Sequence, residues 1–125
     1  MASSINKQTN FAWDRGTSYT IGIVYEKDGV PHTLVGATVL CTVKDVEFDD
    51  STTDATSVIP PKNITTGTAE GEADIVFTPA ETAELTPGEY YYDVKVDEDS
   101  DGVNVYKILE GKITLGGSPT NRLLT

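Results

Sequence analysis

Tyr90-Tyr91-Tyr92-Asp93-Val94-Lys95-Val96, Asp97-Glu98-Asp99-Ser100-Asp101-Gly102 and Val103-Asn104-Val105-Tyr106-Lys107-Ile108 follow one another without interruption, and their reading decides the fold. The middle six residues open like an EF-hand calcium loop, Asp-x-Asp-x-Asp-Gly. That loop needs a bidentate carboxylate at its twelfth position, and counting from Asp97 the twelfth residue is Ile108. A true loop also leads into a helix, whereas both flanks here are β-branched and aromatic and read as strands. The six residues are therefore a solvated hairpin tip, with Gly102 supplying the positive φ of a turn. Asp97, Asp99 and Asp101 are the candidate metal ligands, and they amount only to a weak, incomplete calcium site; no other cofactor is implied.

Outward from this hairpin the alternation continues. Tyr90, Tyr92, Val94 and Val96 fall on one face of their strand, and Tyr91, Asp93 and Lys95 on the other. Period two also aligns Tyr19, Ile21, Ile23 and Tyr25, then Ala37, Val39, Cys41 and Val43, then Ala73, Ile75 and Phe77. Asp28-Gly29 marks a turn. Thr78-Pro79-Ala80-Glu81 carries a capping-box threonine, a proline at the first helical position and a glutamate three residues past the cap, so a short helix is expected near 79–85. The last strands are expected at 103–109 and 112–115, with Gly111 as a bulge or bend between them. From Glu47 to Gly71 the pattern weakens into a long connection with one short strand at Ser57-Val58-Ile59. Six or seven short strands with regular turn signals describe an antiparallel β-sandwich.

The chain has 125 residues, enough for one domain with a real core. The expected organisation is a flexible arm over 1–10, one sandwich over 11–115 and a flexible tail over 116–125. Nine basic residues stand against twenty acidic ones, a formal charge of -11 with no Lys/Arg cluster, which argues against nucleic acid and against an anionic membrane surface. No apolar run approaches the ~20 residues of a membrane span. The start lacks a signal-peptide pattern, so synthesis in a cytoplasm is expected. Cys41 is the single cysteine and reads as a small core residue.

Catalytic chemistry is not visible. His32 is the single histidine and lies beside Pro31 in a loop, with no Gly-x-Ser-x-Gly elbow in the chain. Zinc needs more Cys and His ligands than the two present. The carboxylates fall in turns and on solvent faces, where they serve solubility. The expectation is a protein that is not an enzyme. Tyr91 is expected to pack against the second sheet or the 47–71 loop; exposed beside Trp13 or Tyr106 it would make a sugar-stacking or protein-binding platform, and a carbohydrate-binding or adhesion module is the alternative function.

Several segments in order carry a resemblance. They are Trp13-Asp14-Arg15-Gly16-Thr17-Ser18-Tyr19, Leu34-Val35-Gly36-Ala37-Thr38-Val39, Phe77 to Leu85, Pro87-Gly88-Glu89-Tyr90-Tyr91-Tyr92-Asp93-Val94, Asp101-Gly102, Leu109-Glu110-Gly111-Lys112-Ile113-Thr114-Leu115 and Pro119-Thr120-Asn121-Arg122. Over residues 11–122 the chain resembles the N-terminal domain of upper baseplate proteins of tailed phages, and short virion proteins on the same plan. The resemblance implies an immunoglobulin-like β-sandwich of six to eight strands. It also implies a bacteriophage virion structural protein, localised to the virion, that docks onto other virion proteins without catalysis. The chain ends where baseplate proteins continue, which leaves baseplate, neck, capsid decoration and fiber anchor open, with homo-oligomers among the assemblies. The polar arms at 1–12 and 116–125 are expected to order against neighbouring subunits, and exposed strand edges offer docking by strand addition.

Overall fold

The computed structural model describes residues 7–47, 54 and 56–120. Its strands in chain order are β1 (Lys7–Gln8), β2 (Phe11–Asp14), β3 (Tyr19–Val24), β4 (Glu26–Lys27), β5 (Val30–Pro31), β6 (Thr38–Lys44), β7 (Lys62–Ile64), β8 (Glu72–Phe77), β9 (Gly88–Asp97) and β10 (Val105–Gly116). The helix α1 (Pro79–Ala83) lies between β8 and β9. Three of these strands are two-residue ladders, and the remaining seven match the expected number.

One layer runs β10–β9–β6–β7 antiparallel, with β1 and β2 laid parallel along the far side of β10. The facing layer is the antiparallel pair β3–β8. A four-strand antiparallel run packed over a separate pair, with its outer connection passing through a short helix, is the immunoglobulin-like plan. A second mark is the corner before β9: the Tyr90 hydroxyl donates to the Thr86 carbonyl at 2.5 Å, as the tyrosine of that fold does. Two residues on, where antibody domains carry a disulfide cysteine, stands Tyr92, whose hydroxyl donates to the Thr9 carbonyl at 2.7 Å.

The core is filled as the alternation requires. Val39, Cys41 and Val43 of β6 face Val96, Val94 and Tyr92 of β9 in register, and Ile21, Ile23, Ile75 and Phe77 close the other side. Ile75, Phe77, Val94 and Val96 are fully buried. Trp13 stacks on Tyr19 with centroids 4.6 Å apart and tilts against Phe77 at 5.1 Å. The capping box is present in both directions, Thr78 accepting from the Glu81 amide and Glu81 from the Thr78 amide.

Four expectations are corrected. Ser57-Val58-Ile59 forms no strand: the Val58 amide donates to the Val43 carbonyl of β6 at 2.9 Å, but Pro60 and Pro61 have no N–H to continue a ladder, and the strand paired to β6 is Lys62–Ile64, while Ile59 is buried in the core. The segments 103–109 and 112–115 are parts of one strand, and its irregularity lies between Lys107 and Leu109, not at Gly111. Glycine is required at 111 for a different reason, since a Cβ there would sit 1.9 Å from the Thr9 carbonyl oxygen. The arm is also shorter than expected, because Lys7–Gln8 pair with Leu109–Glu110 and the Thr9 amide donates to the Glu110 carbonyl at 2.9 Å. Residues 1–6, and 121–125 of the expected tail, lie outside the described residues. Finally, the helix stops at Ala83, and Leu85 is buried beyond its end.

Candidate functional site

The hairpin tip organises itself. Asp97 is 92 % removed from solvent in effect, at 8 % exposure, and its two carboxylate oxygens accept from the Asp101 and Gly102 amides at 3.2 and 2.7 Å. Asp101 in turn accepts from the Val103 amide at 3.0 Å. Ser100 takes a positive φ of 57° and Gly102 one of 78°. The Ser100 hydroxyl donates to the Gly36 carbonyl at 2.9 Å, anchoring the tip beside the start of β6. Asp97 is thereby committed to the loop's own amides, and among the described residues no group of three or more His, Cys, Asp or Glu converges on a metal-sized space.

Beside the tip, Glu98 gathers Tyr25, Lys27 and His32 around its carboxylate. Its carboxylate accepts from the Tyr25 hydroxyl at 2.6 Å and pairs with the Lys27 ammonium, with His32 Nδ1 at 4.0 Å. Burial acts to raise the Glu98 pKa, and the hydrogen bonds from Lys27 and Tyr25 outweigh it, so the carboxyl lies below its usual value. Lys27 also rides over the Tyr106 ring at 5.5 Å. This arrangement clamps the β4–β5 hairpin to the β9–β10 tip. Cys41 is buried, and desolvation followed by the nearby Asp93 pushes its thiol up to about 12, which suits packing and not nucleophilic attack.

The aromatic platform of the alternative reading is not assembled. Trp13 and Tyr106 lie on the core side of their strands, whereas Tyr91 points outward between Lys44 and Lys112 in the cross-strand register. What the structure offers instead is two open surfaces. The first is the free edge of β3. Among the described residues β3 pairs only with β8, so its other side is an unoccupied row of backbone donors and acceptors. Tyr19-Thr20-Ile21-Gly22-Ile23-Val24 contains no charge and no proline, and Val24 is 52 % exposed. Alongside it a groove opens toward β1, β2 and β10, lined by Phe11, Ile21, Ile23, Ile108 and Leu109 together with Lys7 and Glu26. β2 and β10 pair with each other and not with β3, which leaves this flank of the sandwich unsealed.

The second surface is the outward face of the large sheet, where charges fall in bands. Lys44, Tyr91 and Lys112 share one row, Thr42, Asp93 and Glu110 the next, and Leu40, Lys95 and Lys107 the one after, allowing for the irregularity in β10. The outward direction of Tyr91, Asp93 and Lys95 was legible from period two; their cross-strand neighbours depend on register and carry no local signal.

No protein-family model and no curated protein matches the chain. Among solved structures it is similar to a VGSC beta subunit from a study of multimeric cell-adhesive interactions, at 11 % identity and a TM-score of 0.37, covering 90 % of this chain and 93 % of that one. A likeness of that size carries no functional argument, and the fold rests on the strand order and the Tyr90 corner.

Proposed function

We propose that the chain is a non-enzymatic virion subunit of a tailed phage that docks onto other virion proteins, and that strand addition to β3 is its docking route. The observation that carries docking is the β3 edge. Exposed edges are ordinarily blunted by a lysine, a proline, a bulge or a covering segment, because an open ladder recruits other chains. β3 itself has none of these among the described residues, and the groove beside it brings Phe11, Ile108 and Leu109 to its flank along with Lys7 and Glu26. An added strand would satisfy the free backbone groups and place alternate side chains into the groove. The virion setting comes from the segment order that resembles phage baseplate domains.

Two measurements test this. Mass spectrometry of gradient-purified particles of the encoding phage is expected to find the chain, and its absence from particles overturns the virion setting. A Thr20→Lys/Val24→Lys variant places two cations along an edge whose side chains at these positions are solvent-exposed. It is expected to keep its melting temperature and to be lost from particles; normal incorporation overturns the edge as the docking route.

A further inference from the structure

The layer that holds β3 is short of a strand among the described residues. In the immunoglobulin-like plan its counterpart has four strands, with the first strand of the domain laid beside the second. Here that layer is β3 and β8 alone, because β1 and β2 both pair with β10 in the opposite layer. The opposite layer is left partly uncovered as a result. Leu109 shares an inward row with Val94, and Phe11 shares one with Ile113 and Tyr90, yet Leu109 and Phe11 are only half-buried while their row partners are buried. The backbone marks the same gap. The Tyr25 amide donates to the Gly71 carbonyl at 2.7 Å, so by alternation Ile23, Ile21 and Tyr19 direct their N–H and C=O groups to β8, while Val24, Gly22 and Thr20 direct theirs to the open edge. The other edge of the layer, along β8, is blunted by Glu72 and Asp74.

We propose that the missing first strand is supplied in trans, by an extended, uncharged segment of a partner virion protein that has no fold of its own, lies antiparallel to β3 and carries apolar side chains at every second position. This donor strand rests on strand addition to β3 and names what is added. Donor residues opposite Thr20, Gly22 and Val24 bond to β3 and turn their side chains to solvent. Those opposite Ile21 and Ile23 turn inward over Phe11, Ile108 and Leu109. A folded second copy cannot do both: its own β3 would extend the sheet, but the inward side chains of that strand, Ile21 and Ile23, are buried in its own core. β3 carries no charge, and at the Val24 end of the groove Lys7 and Glu26 are of opposite sign and select neither. A charge on the inward side of the donor would be buried without a partner, which is costly.

The probe is the capped peptide Ser-Val-Thr-Val-Thr-Val-Ser, titrated into the ¹⁵N-labelled protein. Amide shifts are expected at Thr20, Gly22 and Val24, with slower hydrogen exchange at the same amides. The peptide Ser-Thr-Val-Val-Val-Thr-Ser has the same composition without the alternation and is expected to bind at least about tenfold more weakly. The same loss is expected when the alternating peptide is N-methylated on its threonines, whose amides face β3. Gly22→Pro removes an N–H that β8 does not use and puts a ring in the place of the donor, so it is expected to keep its melting temperature and lose the peptide. The N-methylated peptide makes that comparison on the unaltered protein, so the test stands even where Gly22→Pro does not fold. Absence of shifts, equal binding of the alternating and broken peptides, or undiminished binding after N-methylation overturns the donor strand. A dimer of the free protein that Gly22→Pro disperses also overturns it and gives the edge to a second copy. Peptide binding with the chain absent from particles keeps the donor strand and removes the virion setting; loss of Thr20→Lys/Val24→Lys from particles with no peptide response keeps the docking edge and removes the donor strand.

Discussion

Thr82 Oγ1 accepts a hydrogen bond from the Thr17 amide at 3.1 Å and donates one to the Thr17 carbonyl at 2.9 Å, from a side chain with no solvent exposure. The same oxygen accepts from the Gly16 amide at 3.0 Å. One hydroxyl thus ties α1 to the turn between β2 and β3, and Arg15 Nε adds a bond to the Leu85 carbonyl at 2.7 Å. Thr82→Val keeps the volume and removes the acceptor, so it is expected to cost roughly 1–3 kcal/mol for each amide left without a partner. Thr82→Ser should recover most of the loss in a urea melt, and equal melts for Val and Ser would show the hydroxyl to be idle.

Phe77 closes the core between Trp13 and the Lys62 ammonium, which lies 5.4 Å from its ring. Phe77→Ala is expected to lower stability by about 3–5 kcal/mol through lost transfer energy and a residual cavity. Chemical denaturation measures this directly; a soluble variant with an unchanged midpoint would contradict the packing.

At Gly111 the constraint is a close approach. The Thr9 carbonyl lies where a Cβ would sit, and Tyr92 donates to that carbonyl. Gly111→Ala should push residues 7–9 off β10 at roughly 1–3 kcal/mol. Faster amide exchange at Thr9, together with easier proteolysis before Phe11, is the expected signature.

Two carboxylates make stability depend on acid. For Glu81, burial acts to raise the pKa, but hydrogen bonds from Lys62 at 2.5 Å and from Thr78 lower it overall. Glu98 is lowered in the same manner. A carboxyl whose folded value is depressed binds protons more weakly folded than unfolded. Its contribution is therefore complete above the ordinary carboxylate range of ~4.3 and is lost as pH falls through the lower folded value. Melting temperature is expected to fall on acidification below about pH 5, and Glu81→Gln with Glu98→Gln should flatten that slope. An unaltered slope in the double variant would assign the acid sensitivity to other groups.

The local devices were readable from residues alone. The capping box at Thr78-Pro79-Ala80-Glu81, the turn at Asp28-Gly29, the hairpin at 97–104 and the inward faces of β3, β6, β8 and β9 each depend on neighbours within a few residues, where propensity and period two act directly. Gly111 looks like a bend until Thr9, distant in the chain, is seen against it, whereas Ser57-Val58-Ile59 is stopped as a strand by its own neighbours Pro60 and Pro61.

The candidate surfaces divide in the same way. Alternation along the chain turns Cys41, Ile75, Phe77 and Val94 inward and Lys95 and Tyr91 outward, because the pleat assigns faces residue by residue. That β2 lies along β10 and leaves the edge of β3 open is set by long-range pairing. The same holds for Lys95 opposite Lys107 and for Tyr91 between Lys44 and Lys112. Register and strand order are properties of pairs of segments far apart in the chain, settled by how two apolar faces pack together, and no single segment encodes them.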